Sequence, residues 1–201
     1  MYRHRAKILK ISLTALLIAM IAILELLPKP RAPWGMSIDF VAVPVLIAFF
    51  LLGVRYALAV SAGMFAILTM IGFGSFIGAT MKFTATLPMF LIPALLLYTP
   101  LCSSTRSPRE YANALKYALA AAIAIAVRCL AMIALNYYWA IPLFFNMPIE
   151  EAIKVFFFGS LWGFIWFVSS MNIVQGVVDA AVSWLIVFGA KLPEKLPVSS
   201  V

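Results

Sequence analysis

Between Asn136 and Pro148 the chain reads NYYWAIPLFFNMP, which sets stacking rings, hydrogen-bonding amides and backbone-fixing prolines side by side. A flat, polar organic ligand needs all three. Other polar side chains interrupt apolar runs at Glu25, Asp39, Lys82, Arg128, Asn172, Gln175 and Asp179, with hydroxyls at Thr80, Thr84 and Thr86. Catalysis fits these residues poorly. Hydrolases and transferases need a nucleophile with a base, or carboxylates grouped to hold a metal. The one histidine, His4, sits in a basic N-terminal tail, and the seven acidic residues are scattered. No G-x-x-x-x-G-K-[ST] loop is present, so ATP hydrolysis by P-loop chemistry is excluded. The chemistry these residues suit is recognition, with no catalytic group, no metal and no cofactor.

The elements that position these groups must be membrane helices. Hydrophobic residues make up 65% of the chain and charged residues 11%, which excludes a water-soluble fold. A bilayer span needs about 20 predominantly apolar residues. Six such stretches are expected, near 8–27, 38–54, 55–72, 77–99, 112–137 and 170–190, with only Gly53, Val54 and Arg55 between the second and third. Short loops leave no room for a soluble domain, so residues 1–201 form one transmembrane domain, an all-α integral membrane protein. The apolar run after Arg3, Arg5, Lys7 and Lys10 is long for a signal peptide, and Glu25-Leu26-Leu27-Pro28 is no small-residue cleavage site; the run is read as a retained first helix. Cys102 and Cys129 fall in a loop and in a helix, and imply neither a disulfide framework nor a metal site. Residues 156–170 are left open between helix, re-entrant loop and lid.

The net charge of +8 is sorted by side. With six spans and both termini cytoplasmic, Arg3, Arg5, Lys7, Lys10, Arg55, Arg106, Arg109, Lys116, Lys191 and Lys195 face inward, against Lys29, Arg31 and Lys154 outside. This is a positive-inside bias and calls for no nucleic acid. It places the chain in the cell membrane.

Helical rise of about 1.5 Å per residue then gives depths. Lys82 lies roughly 7 Å below the outer surface, Gln175 lies level with it, and Asn172 stands at the start of the last helix. Asn136, Tyr137, Tyr138 and Trp139 close the outer end of the fifth helix, while Glu25 and Asp39 lie on the same side. Such one-sided clustering describes an outward-opening pocket with aromatic walls. Taken singly, Tyr137 and Trp139 also suit an interfacial belt. Arg128 and Asp179 share a depth of about 12–14 Å, and a mid-bilayer charge is costly enough that such residues pair or line a cavity. A structural ion pair is favoured over a proton relay. Lys82 has no evident partner on an adjacent turn, which suits a ligand role. Ser12, Ala15, Ala19 and Ala22 make a small-residue stripe that permits close helix approach.

These residues resemble the S components of energy-coupling factor (ECF) vitamin transporters, most closely those specific for riboflavin. Ala15-Leu16-Leu17-Ile18-Ala19 matches an AxxxA on the first helix, and Ser37-Ile38-Asp39 leads to Val43-Pro44. NYYWAIPLFFNMPIEEAI (Asn136 to Ile153) is similar to the riboflavin proteins' asparagine-tyrosine-aromatic and methionine-proline pattern, and Asn172-Ile173-Val174-Gln175-Gly176 to their N-x-x-K-G. The resemblance implies the S-component fold and a riboflavin pocket near the outer face. It also implies assembly with a membrane-embedded coupling (T) subunit and a pair of ATPases. It assigns Ala15 and Ala19, with Ala22 on the same stripe, to the coupling-subunit interface. Asn136, Tyr137, Asn172 and Gln175 become pocket contacts, beside Asp39, Lys82, Thr86 and Trp139 from the depth argument. Two departures stand out: Gln175 replaces a lysine, and Lys82 falls where the family carries asparagine, as though amine and amide had exchanged helices across one pocket. An S component for another vitamin, and a proton-coupled secondary transporter using Lys82, Arg128 and Asp179, stay open as alternatives. Against the transporter, no inverted repeat and no pair of interrupted helices is visible.

Overall fold

Glycine and proline punctuate the apolar runs, and the helices of the computed structural model break at several of them. The structure describes residues 2–72, 74–100 and 106–196. Cys102, the two end residues of the chain and the side chains of Arg3, His4 and Arg5 lie outside the described residues. The long helices are α1 (Tyr2–Leu26), α3 (Val54–Ile71), α4 (Ser75–Leu96), α5 (Ala114–Leu135) and α8 (Leu161–Trp184). Between them stand the short helices α2 (Val43–Leu52), α6 (Ile141–Phe145) and α7 (Ile149–Phe156), and α9 (Leu192–Lys195) follows. The fold is all-helical. α1 packs on α2 and α3, α4 lies between α3 and α5, and α5 packs on α8, which returns to α2.

Five helices among the described residues are long and apolar enough to cross a membrane. The second expected span is not among them. It shortens to the ten residues of α2, about 15 Å by helical rise, too little to cross a hydrocarbon core of about 30 Å alone. The cause is Asp39. Its carboxylate turns back to accept from the Val41 amide at 3.0 Å, and its own peptide is bonded across the bundle, so residues 38–42 stay out of the helix. α2 is instead enclosed, with Val43 through Phe50 all buried. Gly53, at φ 93° and ψ 178°, then turns the chain directly into α3, a conformation open to little but glycine.

The last two expected spans move as well. The fifth does not stop at residue 137. It passes through a π turn, Asn136–Ala140, into α6, giving an apolar span Ala114–Phe145 of 32 residues. Asn146 in the left-handed region (φ 51°) and Pro148 then end it. The sixth begins at Leu161 rather than 170, capped by the Ser160 hydroxyl, which accepts from the Gly163 amide at 3.3 Å, and runs through a second π turn to Gly189. Residues 156–170 are thus the end of α7, a short turn and the first turns of α8.

α5 and α8 meet closely because Gly176 has no side chain: a Cβ there would lie 2.7 Å from Cγ1 of Ile125. Gly176→Val is expected to force the two helices apart and to cost about 1–3 kcal/mol by overpacking. The check is the thermal midpoint in detergent, against Gly189→Ala, whose new methyl would meet nothing closer than 3.9 Å.

Candidate functional site

The segment between α1 and α2 crosses one end of the bundle as a strap. Arg31 and Ser37 pair as an isolated antiparallel bridge, and the Ala32 amide donates to the Met36 carbonyl at 2.7 Å. Gly35, at φ 91°, makes the reversal between them. Trp34 anchors the strap, its ring 5.2 Å from Phe157 and 5.6 Å from Phe167, centroid to centroid. Beneath the strap lies a cavity of about 140 Å³. One water takes about 10–15 Å³ on that measure, so the space is large enough for a small organic molecule.

Its walls are largely apolar: Trp34 and Met36 from the strap, Met81 and Ala85 from α4, Met132 from α5, Ile141 and Phe144 from α6. Polar residues make up much of the rest, Ser37 on the strap among them. Asp39, Lys82, Arg128, Asn136 and Asn172 reach the cavity, as do Glu25 and Lys29. The Nε1–H of Trp34 is buried without a partner. The π turn helps to place Asn136, Ala140, Ile141 and Phe144 toward the cavity, since one extra residue per turn shifts the helical register.

The polar residues form one continuous chain. Lys82 Nζ donates to Asp39 Oδ1 at 2.6 Å, and the Ser37 hydroxyl donates to Oδ2 at 3.2 Å. Gln175 grips the Asp39 peptide from both sides: its Oε1 accepts from the Asp39 amide at 2.9 Å and its Nε2 donates to the Asp39 carbonyl at 2.7 Å. The same Nε2 donates to Asp179 Oδ1 at 2.7 Å. Arg128 closes the chain, with Nη1 donating to Asp179 Oδ2 at 3.0 Å and Nε to Asn172 Oδ1 at 3.1 Å. Asn172 in turn donates to the Val168 carbonyl at 2.8 Å. Burial alone pushes the Asp39 carboxyl's pKa up. The Lys82 ammonium and its hydrogen bond, then the Val41 amide and Lys29, outweigh it and hold the carboxyl below its ordinary range.

The site therefore differs from the pocket expected. Asp39, Lys82, Asn136 and Asn172 are brought together as lining. Thr86, Tyr137, Trp139 and Gln175 lie outside it. The Thr86 hydroxyl is spent on the Lys82 carbonyl at 2.8 Å. Tyr137 packs on Phe164 and Tyr138, and Trp139 on Phe76. Gln175 is fully buried and faces Asp39 and Asp179, so the amide does not stand across a cavity from the amine. Lys82 is not partnerless either, because its carboxylate comes from the strap, 43 residues away in sequence. Asn172 sits in the middle of α8 rather than at its start. Sequence reasoning missed Trp34, Met36 and the pair Lys29–Glu25; the Pro30–Gly35 segment, with one tryptophan among turn residues, was the available signal. Ala15 and Ala19 are exposed on α1, and Ala22 is half-buried.

No group of three or more His, Cys, Asp or Glu side chains able to hold a metal lies among the described residues. The arrangement can hold a small molecule between apolar walls, with amide, ammonium and guanidinium donors among them.

Residues 9–189 match the family model described as "ECF transporter, substrate-specific component". No curated relative matches in sequence. Among solved structures, one described as "Structure and mechanism of the S component of a bacterial ECF transporter" superposes with a TM-score of 0.68 at 21% identity, covering 95% of this chain and 99% of that one.

The buried pair gives a direct test. Arg128→Leu or Asp179→Leu alone strands a charge and should cost about 3–5 kcal/mol, whereas the double substitution should recover much of that loss. Thermal midpoints of the three variants in detergent decide; a double variant as damaged as the sum of the singles contradicts the pairing.

Proposed function

This chain belongs to the family of ECF transporter substrate-specific components, and on that premise we propose that it captures riboflavin or a closely related flavin for uptake. As a member it is a membrane protein that binds a substrate and carries out no chemistry. Its partners are the transmembrane coupling subunit and the ATPase subunits of the transporter.

The observation that carries the flavin reading is the combination of apolar walls with amide, ammonium and guanidinium donors in one cavity. Met81, Met132, Ile141 and Phe144 suit the faces of a fused heteroaromatic ring. Lys82, Arg128, Asn136 and Asn172 suit the carbonyl and imide edge of that ring, since all four carry N–H donors and the two amides also accept. The Asn136–Pro148 stretch, which resembles that of the riboflavin proteins, supplies part of both walls. In this reading the pocket opens to the outside of the cell, the termini face the cytoplasm, and the exposed Ala15 and Ala19 meet the coupling subunit.

Titrating purified protein into riboflavin should quench flavin fluorescence at micromolar protein; absence of quenching counts against a flavin. Lys82→Met should weaken binding at least tenfold, while Lys154→Met on α7, outside the lining, should not. Ala19→Trp should leave quenching intact yet abolish uptake by cells that express the coupling and ATPase subunits.

A further inference from the structure

Three cations line the cavity, and each already faces a carboxylate. Lys29 pairs with Glu25, Lys82 with Asp39 at 2.6 Å, and Arg128 with Asp179 at 3.0 Å. The pairs are nearly dry: side-chain exposures are 8% and 6%, 14% and 6%, and 2% and 0%, respectively. Three positive and three negative charges cancel. Donors nevertheless remain, because an ammonium carries three N–H groups and a guanidinium five, more than these contacts use. With Asp179 directly behind Arg128, the lining thus offers hydrogen bonds to neutral acceptors without offering net positive charge.

A phosphate monoester carries about −1.5 to −2 at neutral pH. Inside this cavity it would find no uncompensated cation and would face the carboxylates of Glu25 and Asp39. Taking such an anion out of water without a matching charge is unfavourable, and a like-charge neighbour adds to the penalty. Asp39 and Asp179 are tied down beyond their cations: the Val41 amide and the Ser37 hydroxyl hold the Asp39 carboxylate, and Gln175 holds that of Asp179. Glu25 stands outside that network. It lies near the end of α1, four residues before the lysine it neutralises.

We infer that the pocket takes an uncharged vitamin and rejects its phosphate ester, with Glu25 as the specificity-determining residue that cancels Lys29. This rests on the vitamin-capture reading above but not on the vitamin being a flavin.

The test is equilibrium binding to the purified full chain, by calorimetry, of riboflavin against flavin mononucleotide and pyridoxine against pyridoxine 5′-phosphate. Whichever parent binds, its phosphate should bind at least a hundredfold more weakly. Glu25→Gln should narrow that ratio at least tenfold, and Lys29→Gln should widen it, while Glu151→Gln on α7 leaves it alone. Should Glu25→Gln fail to fold, the Lys29→Gln ratio decides the assignment to this pair. Equal affinity for riboflavin and its phosphate overturns the inference and leaves the flavin reading standing. Discrimination seen only with the pyridoxine pair overturns the flavin reading and supports the inference. A ratio unmoved by both substitutions removes the role of Glu25, and binding by none of the four compounds overturns both readings.

Discussion

Charge compensation inside an apolar bundle is the constraint on which this structure turns. Lys82, Arg128 and Asp179 stand on helices whose outward faces are apolar, and a charge in such surroundings is tolerated only when matched. The match is made through one polar chain, Lys82–Asp39–Gln175–Asp179–Arg128–Asn172, that joins α4, the strap, α8 and α5. Each link fixes an element. Asp39 must leave the helix to reach Lys82, so α2 is short; α8 must present Asn172, Gln175 and Asp179 on one face, so it runs unbroken through them. The cavity is what remains between the strap and this polar floor.

Length is the second constraint. α5 with its π turn and α6 is longer than a bilayer core requires, as is α8 with its own π turn. The excess lies at the cavity end, where the aromatic residues of α6 and α7 and the start of α8 surround the Trp34 ring. A water-soluble pocket would need loops for this. Here the helices simply overshoot, and the π turn re-aims the overshooting part toward the cavity.

Much of this was legible in the sequence, and the rest was hidden for physical reasons. Apolar length revealed the helical class, and equal helical depth matched Arg128 with Asp179, because both lie within regular helix where rise is constant. The end of the fifth span was misplaced because Asn136, the tyrosines and Pro142 read as an exit. Yet a π turn absorbs an extra residue, and Pro142 just beyond it withdraws one helical hydrogen bond without stopping the span. Lys82 looked solitary because its partner lies on an irregular segment, for which no periodicity gives a position. The fate of Thr86 was equally invisible: a hydroxyl that could reach a ligand or its own helix carbonyl took the nearer acceptor. Gln175 was given the right depth but not its bonding, since a side chain pairing with a distant peptide leaves no trace in spacing.

α1 is attached differently from its neighbours. It leans on α2 and α3, closely enough that Ile18 fills the space left by Gly63, while most of its residues face outward. None of the six members of the polar chain belongs to it. The molecule is therefore divided into an outer surface on α1 and an interior that encloses the cavity, with little shared hardware beyond Glu25. Lineages descended from such an architecture can alter the guest by exchanging residues on α4, α5 and α8 while the outer face of α1 stays the same. A constant outer face and a variable cargo are evolutionarily separable in a chain built this way.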